Sequence, residues 1–141
     1  MSPAERQLLT DLRRTLLHLH KTLLDWERAA YERIHGRVSG HELLHATLND
    51  PQFVWLRPVS ELIVRIDETL AHEAPGGGEG RTAVGEVAAI VGQARTLVVP
   101  DEAGPPYAQR YHTALQEHPD AVFAHRGVTA VLKGAPPERT H

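Results

Sequence analysis

The chain has 141 residues, no cysteine and a formal net charge of −3. This length predicts a single domain that buries an ordinary core without covalent cross-links. The lack of cysteine excludes disulfides, thiolate metal sites and a cysteine nucleophile. A slightly acidic chain without a basic stripe argues against nucleic acid as a partner. The polar first residues and the lack of a bilayer-length apolar run favour a cytoplasmic protein with no membrane partner.

A long amphipathic helix is predicted at the start of the chain. Ser2, Pro3 and Glu5 form the pattern of a capping box with proline in the first turn, and Gly36 is a typical helix end. Between them, apolar residues recur at steps of three and four, which is the spacing of a helix with one buried face. These residues are Leu9, Leu12, Leu16, Leu19, Leu23, Trp26 and Ala30.

Leu17, Leu24 and Tyr31 widen the apolar stripe of this helix to one side. A wider stripe needs more cover than one neighbouring helix provides. We therefore expect the first helix to touch two neighbours, one of which is either another part of the chain or a second copy.

Three further start signals follow. Ser39 and Glu42 repeat the capping-box spacing, and Asp50 with Pro51 is a second N-cap followed by proline. The next pattern is apolar and helical, and Pro58 inside it predicts either a kink or the true start of a helix. Its residues are Leu56, Val59, Ile63, Ile66 and Leu70.

Residues 73–81 read Glu-Ala-Pro-Gly-Gly-Gly-Glu-Gly-Arg, which predicts a flexible linker. Beyond it, residues 84–98 are rich in valine but lack a period of two, so we predict a helix and not a strand. Further helical patterns follow Pro106 and Pro119, and the last ends near Gly134.

The expected fold is therefore all-α and similar to a four-helix bundle, with two helical hairpins joined by the glycine-rich linker. One helical domain would span residues 1–134, with the linker inside it, and residues 135–141 would form a disordered tail.

His41-Glu42-Leu43-Leu44-His45 matches the HExxH pattern of zinc metallopeptidases. Two histidines four residues apart on a helix face one way and can share a zinc ion, while the glutamate activates a bound water. Glu42, however, is also explained as the capping partner of Ser39, and a long helix precedes the motif where such enzymes have a sheet. Both interpretations of His41, Glu42 and His45 stay open.

A second candidate metal site combines residues that flank the apolar stripes. His20 and Glu27 lie seven apart on the first helix, and Asp67 flanks the Ile63–Leu70 stripe. In a bundle these three side chains are able to meet and to hold zinc or iron. The plainer interpretation is a buried histidine–carboxylate pair that fixes helix register.

Three segments resemble sequences in a family of uncharacterised small bacterial helical proteins that have no known activity. The main one is residues 50–68, from Asp50-Pro51-Gln52-Phe53 to Ile66-Asp67-Glu68. Leu23-Leu24-Asp25-Trp26-Glu27-Arg28 is another, and residues 118–125 are a weaker echo. The resemblance implies a bacterial, intracellular helical domain and carries over no functional residue.

We therefore expect a binding or self-association module without enzymatic activity or cofactor, with a homodimer as the first partnership to test. The alternative is a metal-binding helical bundle that uses His41, Glu42 and His45, and hydrolysis is the activity to test for it.

Overall fold

The computed structural model describes residues 1–72 and 80–135, apart from the side chains of residues 80–84. Within these ranges every regular element is a helix. The helices are α1 (Pro3–His35), α2 (Gly40–Asn49), α3 (Pro51–Val54), α4 (Arg57–His72), α5 (Gly80–Leu97), α6 (Pro106–Glu117) and α7 (Pro119–Lys133).

The start and the end of α1 follow the predicted signals. The hydroxyl of Ser2 accepts a hydrogen bond from the Glu5 backbone amide at 3.1 Å, and the Glu5 carboxylate accepts one from the Ser2 amide at 2.9 Å. At the other end Gly36 has φ +81°, a conformation that glycine adopts without steric cost. The capping box and the glycine stop are therefore confirmed.

The predicted starts of α2 and α3 are also confirmed. The hydroxyl of Ser39 accepts from the Glu42 amide at 3.1 Å, and the Asp50 carboxylate accepts from the Gln52 amide at 2.9 Å. Pro58 is the second residue of α4, so it marks the start of that helix. Helix α5 covers residues 84–97 of the valine-rich stretch, which confirms helix over strand.

The all-α class is confirmed, and the described part divides into more helices than the four predicted. Pro51, Pro106 and Pro119 each begin a new helix, because proline fits the first turn but interrupts a continuing one. The arrangement as a four-helix bundle of two hairpins stays a prediction.

Helix α1 is the element around which the others pack. It contacts α3, α4 and α7, while α5 contacts α4 and α7, and α6 contacts α7. The predicted apolar seam of α1 is buried, with Leu9, Leu12, Leu16, Leu19 and Leu23 all fully enclosed. The expectation that α1 touches more than one neighbour is confirmed.

The boundaries of the predicted linker and tail fall partly within the described residues. Gly80 and Arg81 belong to α5, and the rest of the predicted linker, residues 73–79, lies outside the described residues. Ala135 is buried against the core, so it is not part of a free tail. Residues 136–141 lie outside the described residues.

In the described ranges, none of the helices combines the length and the apolar character that crossing a membrane requires.

Candidate functional site

A cleft of about 590 Å³ opens where the end of α1 meets α2 and the start of α3. Its lining is a mixture of polar and apolar groups and includes all three residues of the HExxH-like motif. The lining residues are Tyr31, His41, Glu42, His45, Ala46, Asn49, Asp50 and Pro51. Helix α2 is pinned between two capped starts, Ser39 and Asp50, and this fixes which of its residues face the cleft.

The two histidines of the motif are exposed and lie one helical turn apart on α2. His45 Nδ1 accepts a long hydrogen bond of 3.4 Å from the side-chain amide of Asn49, which also donates to the His45 carbonyl at 3.0 Å. With Nδ1 as the acceptor, Nε2 carries the ring proton and faces away from Asn49. A metal at Nε2 would displace that proton to Nδ1, so the Asn49 amide would have to release the ring.

Glu42 is occupied at the start of α2. Its backbone amide is capped by Ser39, and its carboxylate accepts a hydrogen bond of 3.3 Å from the Ser39 hydroxyl. Within residues 1–72 and 80–135, no three His, Asp or Glu side chains are close enough to hold a metal ion together. The described residues therefore offer the pair His41 and His45 at this place, which is fewer ligands than a zinc site needs.

The second candidate set centres on Glu27, the only fully buried charged side chain among the described residues. Arg110 on α6 binds its carboxylate with two hydrogen bonds, of 2.7 and 2.9 Å. Trp55 donates its indole N–H to the same carboxylate at 2.5 Å, and Gln52 donates at 3.3 Å. Such forked Arg–carboxylate pairs are among the strongest polar contacts in proteins.

Arg110 is itself held in place. Its guanidinium lies 4.3 Å from the centre of the Trp26 ring, a favourable cation–π distance. The hydrogen bonds to Glu27 raise the pKa of Arg110 above its ordinary value. Because both oxygens of Glu27 and the forked face of Arg110 are engaged, this cluster acts as a link between α1, α3 and α6.

Asp67 and His20 do not join Glu27 in one site. Asp67 on α4 forms an ion pair with Arg13 on α1. Arg13 and Glu27 are 14 positions apart on α1, which is about 21 Å along a helix axis. The structure does not bring Glu27 and Asp67 together, because each carboxylate has an arginine partner at a different level along α1.

Arg110 is the partner that the sequence did not reveal. A buried pair involving Glu27 was predicted, but with a histidine as the cation. Arg110 is separated from Glu27 by 83 positions, and no local spacing links the two residues. Its polar position between Tyr107 and Tyr111 on α6 was the only available hint.

A second polar contact within the core joins α6 and α7. The hydroxyl of Tyr111 lies 2.6 Å from Nδ1 of His125. Burial raises the pKa of Tyr111 and lowers that of His125, so the contact joins a protonated phenol and a neutral imidazole. The neighbouring Tyr107 packs against both Tyr111 and Trp55, and among the described residues its buried hydroxyl has no hydrogen-bond partner.

We expect Arg110→Met to destabilise the fold by about 3–5 kcal/mol, because it leaves the buried Glu27 carboxylate without a compensating charge. Methionine keeps the apolar stem, so the loss reports on the charge and its hydrogen bonds. Urea unfolding followed by circular dichroism measures this change.

The matched control is Arg13→Met, which removes an arginine from an ion pair that is nearly half exposed. We expect this variant to cost less than about 1 kcal/mol. Equal losses in the two variants would contradict a special role for the Glu27–Arg110 pair.

His20 predicts a pH dependence of stability. Burial lowers the pKa of this half-buried side chain, whereas in the unfolded chain it is about 6.5. The unfolded state therefore binds the proton first, so stability is full above about pH 6.5 and declines as the pH falls below it. We expect His20→Gln to reduce the loss of unfolding free energy between about pH 7.5 and about pH 5.5.

The control for this prediction is His18→Gln, since His18 is an exposed histidine on the same helix. It should leave the pH dependence unchanged. His125, whose pKa is lowered by burial and by Arg126, contributes in the same direction. Some pH dependence should therefore remain in His20→Gln. A slope identical to that of the unaltered chain would contradict the assignment.

Of the two candidate sites predicted from the sequence, the Glu27 site is occupied by its ion pair with Arg110, whereas the α2 cleft remains accessible. Comparison with protein-family models, with curated proteins and with solved structures finds no match to this chain. The resemblance to uncharacterised bacterial proteins therefore stays a prediction.

Proposed function

We propose that this chain is a non-enzymatic binding module that associates with a second copy of itself through the outer face of α2. One observation carries the proposal. Leu44 and Leu48 are 60% and 58% exposed on a helix that buries only Ala46. Two leucines spaced four residues apart on a short exposed helix favour a contact with another apolar surface.

The remaining apolar side chains of α1 lend this choice of surface further support. Leu24 packs against the core, and Tyr31 contacts Phe53, so most of the wide stripe of α1 is covered within the chain. Leu17 is 40% exposed, less than either leucine of α2. The α2 face is also adjacent in sequence to Ile34, which is 75% exposed in the last turn of α1.

A second copy is favoured over an unrelated partner because the α2 face suits pairing with itself. It carries the exposed Leu44 and Leu48, and a two-fold axis would bring leucine against leucine. The buried carboxylate of Glu27, by contrast, is bound by Arg110 and is therefore not free to react.

The test is the mass of the full chain, measured in the presence of EDTA by light scattering after gel filtration over a concentration series. We expect a mass that rises towards twice 15.6 kDa. The double variant Leu44→Glu/Leu48→Glu should remain a monomer with unchanged helix content, because it opposes four carboxylates across the contact.

The matched control is Val64→Glu/Val99→Glu, which adds the same charge at two apolar positions that are 53% and 57% exposed on other parts of the surface. This variant should associate as the unaltered chain does. A monomer at every concentration, or equal disruption by both double variants, would refute the proposal.

The second candidate is a metal-binding helical bundle that uses His41, Glu42 and His45, with hydrolysis as the activity to test. The observation that favours it is that all three residues line the same cleft, which Asp50 also lines. Metal content of one ion per monomeric chain would support this candidate, and hydrolase assays would follow.

A further inference from the structure

His41 and His45 form half of a metal site. Both are exposed on α2, one turn apart, and helical pairs at this spacing are able to ligate one ion through their imidazole nitrogens. In the described ranges no third His, Asp or Glu joins them in a group suited to an ion. Zinc in closed sites takes four ligands in tetrahedral geometry. The described part of one copy therefore supplies two ligands of the four.

The same face of α2 carries the means to bring a second pair. His41, Leu44, His45 and Leu48 follow the i, i+3, i+4, i+7 spacing, so they are neighbours on the exposed surface of the helix. The leucines lie outside the cleft, and the two histidines lie between the leucines and the cleft, which they line. Contact between two copies through the leucines would place the histidine pairs beside one another. In a two-fold arrangement each copy contributes the same surface, so two ligands become four.

We propose that a divalent transition metal ion of the zinc type binds between two copies of this chain, with His41 and His45 of each copy as its four ligands. The inference rests on the proposed self-association for the contact face. It differs from the single-chain hydrolase candidate, because a site with four imidazoles is closed and leaves no position for a reactive water. Association of the two copies then depends on the concentration of the metal ion.

Glu42 has no part in this site. Its carboxylate is bound to the Ser39 hydroxyl at the start of α2, where a negative charge is favoured by the helix dipole. Asn49 opposes metal binding, because its amide must leave His45 Nδ1 before Nε2 binds the ion. Removing that amide should not weaken metal binding.

The experiment titrates zinc chloride into the full chain and follows mass by sedimentation velocity and bound metal by elemental analysis. We expect half an ion per chain, a shift to the dimer mass, and reversal by EDTA. Metal that binds only the dimer should lower the apparent dimer dissociation constant by about ten-fold or more.

Variants identify the ligands. His41→Ala and His45→Ala should each abolish the zinc-dependent shift, while Asn49→Ala keeps it. His18→Ala/His72→Ala is the matched control, because it removes two exposed histidines from other helices. It should behave as the unaltered chain does, and circular dichroism should report the same helix content for every variant.

The outcomes separate this inference from the proposed function. A dimer in EDTA that gains nothing from zinc keeps the self-association and overturns the shared site. One ion per chain at the monomer mass also overturns it, in favour of the single-chain candidate. A monomer in EDTA that dimerises with half an ion of zinc supports the shared site, and the metal-free association alone is then refuted.

Discussion

A carboxylate with no access to water sits at the junction of three helices, and much of the architecture follows from the need to satisfy it. Removing an unpaired charge from water costs several kcal/mol even after the protein relaxes. Glu27 meets this cost with the forked pair to Arg110 and with donors from Trp55 and Gln52. Those partners come from distant parts of the chain. The ion pair consequently fixes how α6 and the α3 region lie against α1.

Helix α2 stands in contrast to this tightly committed core. Its start is capped by the Ser39 hydroxyl, yet it buries a single alanine and leaves two leucines and two histidines exposed. A helix of ten residues has little stability of its own in water. An exposed apolar face on a helix of such low intrinsic stability is explained if that face binds a partner. The hydrogen bonds around Glu27 thus stabilise the fold, while the α2 face and its cleft remain accessible to a binding partner.

The helices were predictable from sequence because their signals are local. Capping residues such as Ser2, Ser39 and Asp50 bond to amides within three positions, and the leucine seam of α1 repeats at a fixed interval. The charge pairing was not predictable, since Glu27 and Arg110 are brought together only by the tertiary fold. The same holds for Asp67, whose partner Arg13 lies on another helix. The HExxH-like motif was visible in the sequence, and among the described residues the structure forms no group of three His, Asp or Glu side chains around it.

The central claim is that the outer face of α2 meets itself across a two-fold axis. The chain has no cysteine, so Leu48→Cys introduces a single thiol at the proposed contact, and Val64→Cys introduces one elsewhere. A disulfide requires Cα atoms within roughly 7 Å, so the two copies of residue 48 can be bridged when the two-fold axis passes beside Leu48, as the account proposes. Under mild oxidation in EDTA, the account predicts rapid, nearly complete cross-linking of the Leu48→Cys chain and slow cross-linking of the Val64→Cys chain. Equal rates for the two chains, or a faster reaction at position 64, would contradict it.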